Sequence, residues 1–79
     1  MTAVDIPRHP GAILSMLFLR PSGTSCADLA RATGLSEKLL TAFIDGDVHV
    51  NEYLAFRLAD HFGTTAAYWI GLQRRWEHR

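Results

Sequence analysis

The chain has little of what most secreted, membrane-bound or catalytic small proteins are built from. Its 79 residues include a single cysteine, Cys26, so no internal disulfide can form and no thiol pair can make a metal knuckle. No apolar run is long enough to span a bilayer and none has the form of a signal peptide, so a cytoplasmic location is the expectation. Strand-like alternation is missing, as are internal repeats and low-complexity tracts. An excess of either charge is missing too, with eight basic and eight acidic residues, whereas nucleic-acid-binding domains are more often basic. There is no glycine-rich phosphate loop, no nucleophile elbow and no acid–base pair set on different elements, so an enzyme is not expected. His9, His49, His61 and His78 are not spaced as a known metal motif requires, and neither metal nor cofactor is expected.

What the chain does have is helical punctuation. A first helix is expected from Pro10, where a missing N–H costs nothing, with Ile13, Leu14, Leu17 and Phe18 as its apolar stripe and Pro21 to Gly23 as its stop. Ser25, with Asp28 as a variant capping box, starts a second helix that runs to about Thr33. Ser36 caps a third, which turns Leu40, Phe43 and Ile44 inward and ends near Asp45–Gly46. Asn51 caps a fourth, with Leu54, Ala55, Leu58, Ala59 and Phe62 in its stripe and Gly63 at its end. Thr64 or Thr65 caps a fifth, with Tyr68, Trp69, Leu72 and Trp76 along one side. Five helices joined by loops of a few residues make an all-α, compact five-helix bundle over a single domain, 1–79, in which residues 1–8 form a flexible N-terminal arm. Trp69 belongs in the core. Trp76, one turn from a basic chain end, suits either the core or, with Tyr68, an anchor for a second subunit. Arg57 falls within the fourth helix's stripe, where a structural ion pair with Asp28, Asp60 or Glu52 is expected.

Between Cys26 and Phe43 lies the skeleton of a helix-turn-helix. Ala30 is small where two helices must cross closely, Gly34 can take the positive φ of a sharp corner, Leu35 plugs that corner, and Leu40 and Phe43 anchor the second helix. Such a unit usually lays its second helix in the DNA major groove. The outward residues would then be Ser36, Glu37, Lys38, Leu39, Thr41 and Ala42. Lys38 could reach a guanine edge or a phosphate, Thr41 and Ala42 a thymine methyl, and Glu37 a cytosine amino group. Arg31 could touch the backbone or pair with a carboxylate. The charge pattern runs against a simple phosphate clamp. From Ser25 to Val50 only Arg31 and Lys38 are basic, against Asp28, Glu37, Asp45 and Asp47, while the basic cluster Arg74, Arg75 and Arg79 sits at the end of the chain.

The run His9-Pro10-Gly11, Ile13-Leu14, Phe18-Leu19, Pro21 and Gly23, then Leu29-Ala30-Arg31-Ala32 and Gly34, Asp45-Gly46, Arg57-Leu58-Ala59, Phe62-Gly63-Thr64, and finally Trp69, Leu72 and Gln73 resembles the HigA-type, VapI-like antitoxins of the Xre-like helix-turn-helix group. The similarity extends from His9 to about Glu77, and its opening and closing motifs are the specific parts. The resemblance implies a lambda-repressor-like five-helix fold, a homodimer, and binding of double-stranded operator DNA at the protein's own promoter. It also implies neutralisation of a partner toxin, commonly a RelE-like RNase. Tyr68, Leu72 and Trp76 are the candidate dimer contacts. The chain departs from the family pattern at Cys26, where relatives often carry glutamine, at Leu39 and Ala42, and in the acidic loop Asp47-Val48-His49. Two other readings stay open: a module of the same fold that holds a basic toxin without operator binding, and a solitary phage-type regulator.

Overall fold

The computed structural model describes residues 8–78, so residues 1–7 of the expected N-terminal arm lie outside the described residues. Five helices and no strand make up the described part, as the capping pattern predicts. We number them α1 (residues 10–22), α2 (Cys26–Thr33), α3 (Glu37–Ile44), α4 (Glu52–Phe62) and α5 (Ala66–Glu77). The N-caps of α2 to α5 are Ser25, Ser36, Asn51 and Thr65, each accepting a backbone N–H from the first turn. Ser25 and Asp28 form the reciprocal capping box.

α1 is the irregular element. His9 caps it, its Nδ1 accepting the Gly11 N–H at 3.0 Å. From Leu14 to Leu19 the helix widens into a π turn, with the Arg20 N–H bonded to the Ser15 carbonyl five residues back. The wide turn changes which side chains share a face. Leu14 and Leu19, five apart, are both buried. Leu17, expected inward from a regular 3.6-residue period, is 58 % exposed, and Met16 lies on the surface beside it.

α1 also touches α3 backbone to backbone. A Cβ placed on Gly11 would lie 1.8 Å from the Phe43 carbonyl oxygen, so only glycine permits this approach. The core collects Leu14, Leu29, Leu35, Leu40, Phe43, Leu54, Ala55, Leu58 and Trp69. Each fully buried large side chain contributes about 1.5–3 kcal/mol. Trp69 is wholly buried, and its Nε1–H donates to the Thr64 hydroxyl at 2.9 Å, so Thr65 caps α5 and Thr64 serves the indole. Phe18 reaches across from α1 to meet Phe62 and Trp69 at ring-centroid distances of 4.7 and 5.2 Å.

Candidate nucleic-acid interface

The corner between α2 and α3 is built as the sequence skeleton predicts. Gly34 ends α2 in the left-handed region at φ 77°, Leu35 is buried in the bend, and Leu29, Leu40 and Phe43 are completely covered beneath it. A side chain not expected in this role locks the bend. Thr33 Oγ1 donates to the Leu29 carbonyl at 2.7 Å and accepts the Leu35 N–H at 3.2 Å. A hydroxyl at the last helical position before a glycine corner is the signal that could have found it.

Held this way, α3 turns Ser36, Glu37, Lys38 and Thr41 to solvent, with Ala42 half-buried beside them. Leu39 does not join that face: it is half-buried and packs against the core. The reason is its position, one residue before the buried Leu40 and four before the buried Phe43, at the edge of the inward stripe. Glu37, Lys38, Thr41, Ala42, Asp45 and Asp47 line one open groove along the helix. Three carboxylates and one ammonium therefore share the face that a duplex would meet, which lowers its attraction for phosphates.

Arg31 is on the surface of α2 and its guanidinium is paired with Asp28. Hydrogen bonds from the Ser25 side chain and backbone, and then the Arg31 charge, hold the Asp28 carboxyl below its ordinary value. The pair is exposed on both sides, so it stabilises α2 little and Arg31 can leave it at small cost. Arg57, expected in a buried ion pair, is instead exposed. The inward row of α4 is Leu54, Ala55, Leu58 and Ala59, which leaves position 57 facing out. Its guanidinium lies over the Tyr53 ring at 5.3 Å and donates to the Thr33 carbonyl at 3.4 Å, at the C-terminal end of α2 where a cation is favoured. Arg8, Arg20, Arg74 and Arg75 are all exposed, and none of them lines the α3 groove.

On α5, Tyr68, Leu72 and Trp76 follow one another at four-residue intervals, so they share a face about 12 Å long. Tyr68 is 38 % exposed, Leu72 packs against the core, and the Trp76 ring is half-buried with its centroid 5.7 Å from that of His9. Gln73 on the same helix is a structural residue that periodicity alone passes over. It is buried, with Oε1 accepting the Val50 N–H at 3.0 Å and the amide nitrogen 3.0 Å from His49 Nδ1. No group of three or more His, Cys, Asp or Glu among the described residues could hold a metal ion, and no helix among them is long and apolar enough to cross a membrane.

No protein-family model matches the chain. It is 33 % identical over 67 residues to the uncharacterised helix-turn-helix transcriptional regulator YbaQ of Escherichia coli K12, covering 85 % of this chain and 59 % of that protein. It spans about three fifths of the length of the curated relatives it matches. Among solved structures, the Pseudomonas aeruginosa antitoxin HigA with the higBA promoter is 33 % identical with a TM-score of 0.87, over 92 % of this chain and 79 % of that one. The antitoxin GraA is 34 % identical with a TM-score of 0.88, over 92 % and 78 % of the two chains.

Proposed function

Since the chain belongs to the HigA-type antitoxin family of Xre-like helix-turn-helix proteins, which are not enzymes, we propose that it is a sequence-specific DNA-binding antitoxin that represses its own promoter. Residues 1–79 work as one domain in the cytoplasm, as a homodimer whose two α3 helices enter major grooves about 34 Å apart. Lys38 bonds a guanine edge or a phosphate, Thr41 and Ala42 meet thymine methyls, and Glu37 selects cytosine. Ser36 and Arg31 touch the sugar-phosphate backbone, Arg31 after letting go of Asp28. Tyr68, Leu72 and Trp76 join the two copies, and the dimer neutralises a RelE-like RNase toxin by direct contact.

One observation carries this reading. The residues that α3 leaves outside the core line an open groove, in an architecture shared along 92 % of the chain with an antitoxin solved with its promoter. Titration of the protein into DNA from its own upstream region tests it. A mobility shift that weakens about 5–150-fold in Lys38→Ala and in Thr41→Ala is expected, corresponding to about 1–3 kcal/mol per lost base contact. No shift at low salt and micromolar protein would overturn it.

The acidity of the groove favours a second reading, in which the same fold holds a basic partner without operator DNA. Glu37, Asp45 and Asp47 surround Lys38 there, and an RNA-cleaving toxin must carry positive charge to hold its substrate. Co-purification with the product of the adjacent reading frame, without any shift of promoter DNA, selects this second reading.

A further inference from the structure

Beyond the end of α3, where Asp45 also borders the α3 groove, the start of α1 holds an arrangement that DNA recognition does not use. His9 is 7 % exposed. Its ring meets Phe43 and Trp76 edge to face, with centroids 5.6 and 5.7 Å away, and lies tilted over His49 at 5.9 Å. The Gly11 N–H can only donate, so the His9 Nδ1 that receives it carries no proton and the neutral ring holds its hydrogen on Nε2. That Nε2 is buried with no well-formed hydrogen bond among the described residues, and the Val48 carbonyl compensates it only in part. His49, stacked beside it, is held by a fixed partner of its own. The Val50 N–H fixes Gln73 Oε1, which turns the amide nitrogen of Gln73 toward His49 and makes His49 Nδ1 an acceptor too.

We propose that His9, packed on His49, forms a proton-operated latch, which joins the start of α1, the loop after α3 and the last turns of α5 while the His9 ring is neutral and opens when His9 takes a proton. A proton on His9 Nδ1 turns an acceptor into a donor aimed at the Gly11 N–H, and the α1 cap is lost. It also puts a cation at the positive end of a helix. The charged and titratable groups around the ring are His49 and Asp47 from the loop, Asp45 at the end of α3, and Arg8 just before it; α5 contributes the Trp76 indole. Asp47 and the Val48 carbonyl favour the proton. Burial and then His49 oppose it more strongly and hold the ring below its ordinary value of 6.5.

The direction of the pH effect follows. In the unfolded chain His9 takes its proton near 6.5, and in the folded chain only at lower pH. The unfolded state therefore binds more protons in that interval. The latch's stability is fully present above the ordinary value and is lost as pH falls below it. The inference does not depend on whether α3 reads DNA.

Nuclear magnetic resonance of the full chain between about pH 8 and pH 5 tests it. The His9 ring protons should titrate with a midpoint below 6.5, and the Gly11 amide and Trp76 indole signals should move with the same midpoint. The Trp69 indole, bonded to Thr64, should stay still. In His9→Asn, which keeps a capping oxygen but cannot titrate, the fall of the urea midpoint over this same pH interval should shrink. A His9 midpoint at or above 6.5, Gly11 and Trp76 signals that ignore it, or an unchanged pH dependence in His9→Asn would each overturn the latch. If His9→Asn does not fold, the titration of the unaltered protein decides alone.

Discussion

Replacing Gly11 with alanine sets two effects of opposite sign against each other, and the structure says which wins. Helix propensity favours alanine over glycine by at most about 1 kcal/mol. Against it, the added Cβ would stand 1.8 Å from the Phe43 carbonyl oxygen, 2.6 Å from its carbon and 2.9 Å from the Ile44 Cα. All three are backbone atoms, so no side chain can swing aside. α3 would have to retreat by about 1.5 Å, in an interior packed as densely as an organic crystal. That movement would pull Leu40 and Phe43, both completely buried, out of their contacts. Overpacking of this kind costs about 3 kcal/mol, the upper end of the usual range, which leaves a net loss of about 2 kcal/mol or more. For a domain of this size that is a fall in Tm of about 10 °C. Urea and thermal melts followed by circular dichroism would measure it. Gly71→Ala is the control, because Gly71 lies inside α5 with nothing within 4 Å of its missing Cβ, and the same exchange there should stabilise by about 0.5–1 kcal/mol. If Gly11→Ala melts at or above the unaltered protein, the backbone contact between α1 and α3 does not exist as described.

Three further outcomes are expected. Thr33→Val keeps the shape of a buried side chain but removes both hydrogen bonds of its hydroxyl, so stability measured by urea melts should fall by about 1–3 kcal/mol. Asp45→Asn and Asp47→Asn remove carboxylates from the α3 groove, so promoter DNA should bind several-fold more tightly at low salt, with the gain shrinking as salt is raised. Asp28 is held below its ordinary value of 3.8 mainly by Ser25. Its contribution to stability is therefore present above that value and is lost as pH falls through it, and acid titration of Ser25→Ala should show a smaller loss than the unaltered chain.

The parts of this architecture that are legible in the sequence are those set by near neighbours. Ser25, Ser36 and Asn51 cap helices because a short oxygen-bearing side chain reaches an amide three residues on, and Gly34 closes α2 because its φ is positive. What escapes the sequence is settled by distant partners or by broken periods. Leu17 reads as core only if α1 keeps 3.6 residues per turn, and the π turn removes that premise. Arg57 reads as half of an ion pair until its actual partners are seen, a ring on its own helix and a carbonyl 24 residues away. Gln73 has no local signature because the groups it binds lie 23 and 24 residues before it. Along the α3 groove, the charge pattern of the sequence anticipates the crowding of Glu37, Asp45 and Asp47 around Lys38, while Leu39, read as outward, lies at the border between the wet and dry sides of α3.

The wide turn in α1 carries an evolutionary consequence. It lets one helix meet two separate demands, Gly11 against α3 at one end and Phe18 against Phe62 and Trp69 at the other. The residue that makes the turn wide sets the angle between those two ends. Losing one residue anywhere from Leu14 to Leu19 would rotate one end by about 100° relative to the other, and the two contacts could no longer coexist. Descendants of this chain can therefore exchange side chains at exposed Met16 and Leu17 far more freely than they can gain or lose a residue there.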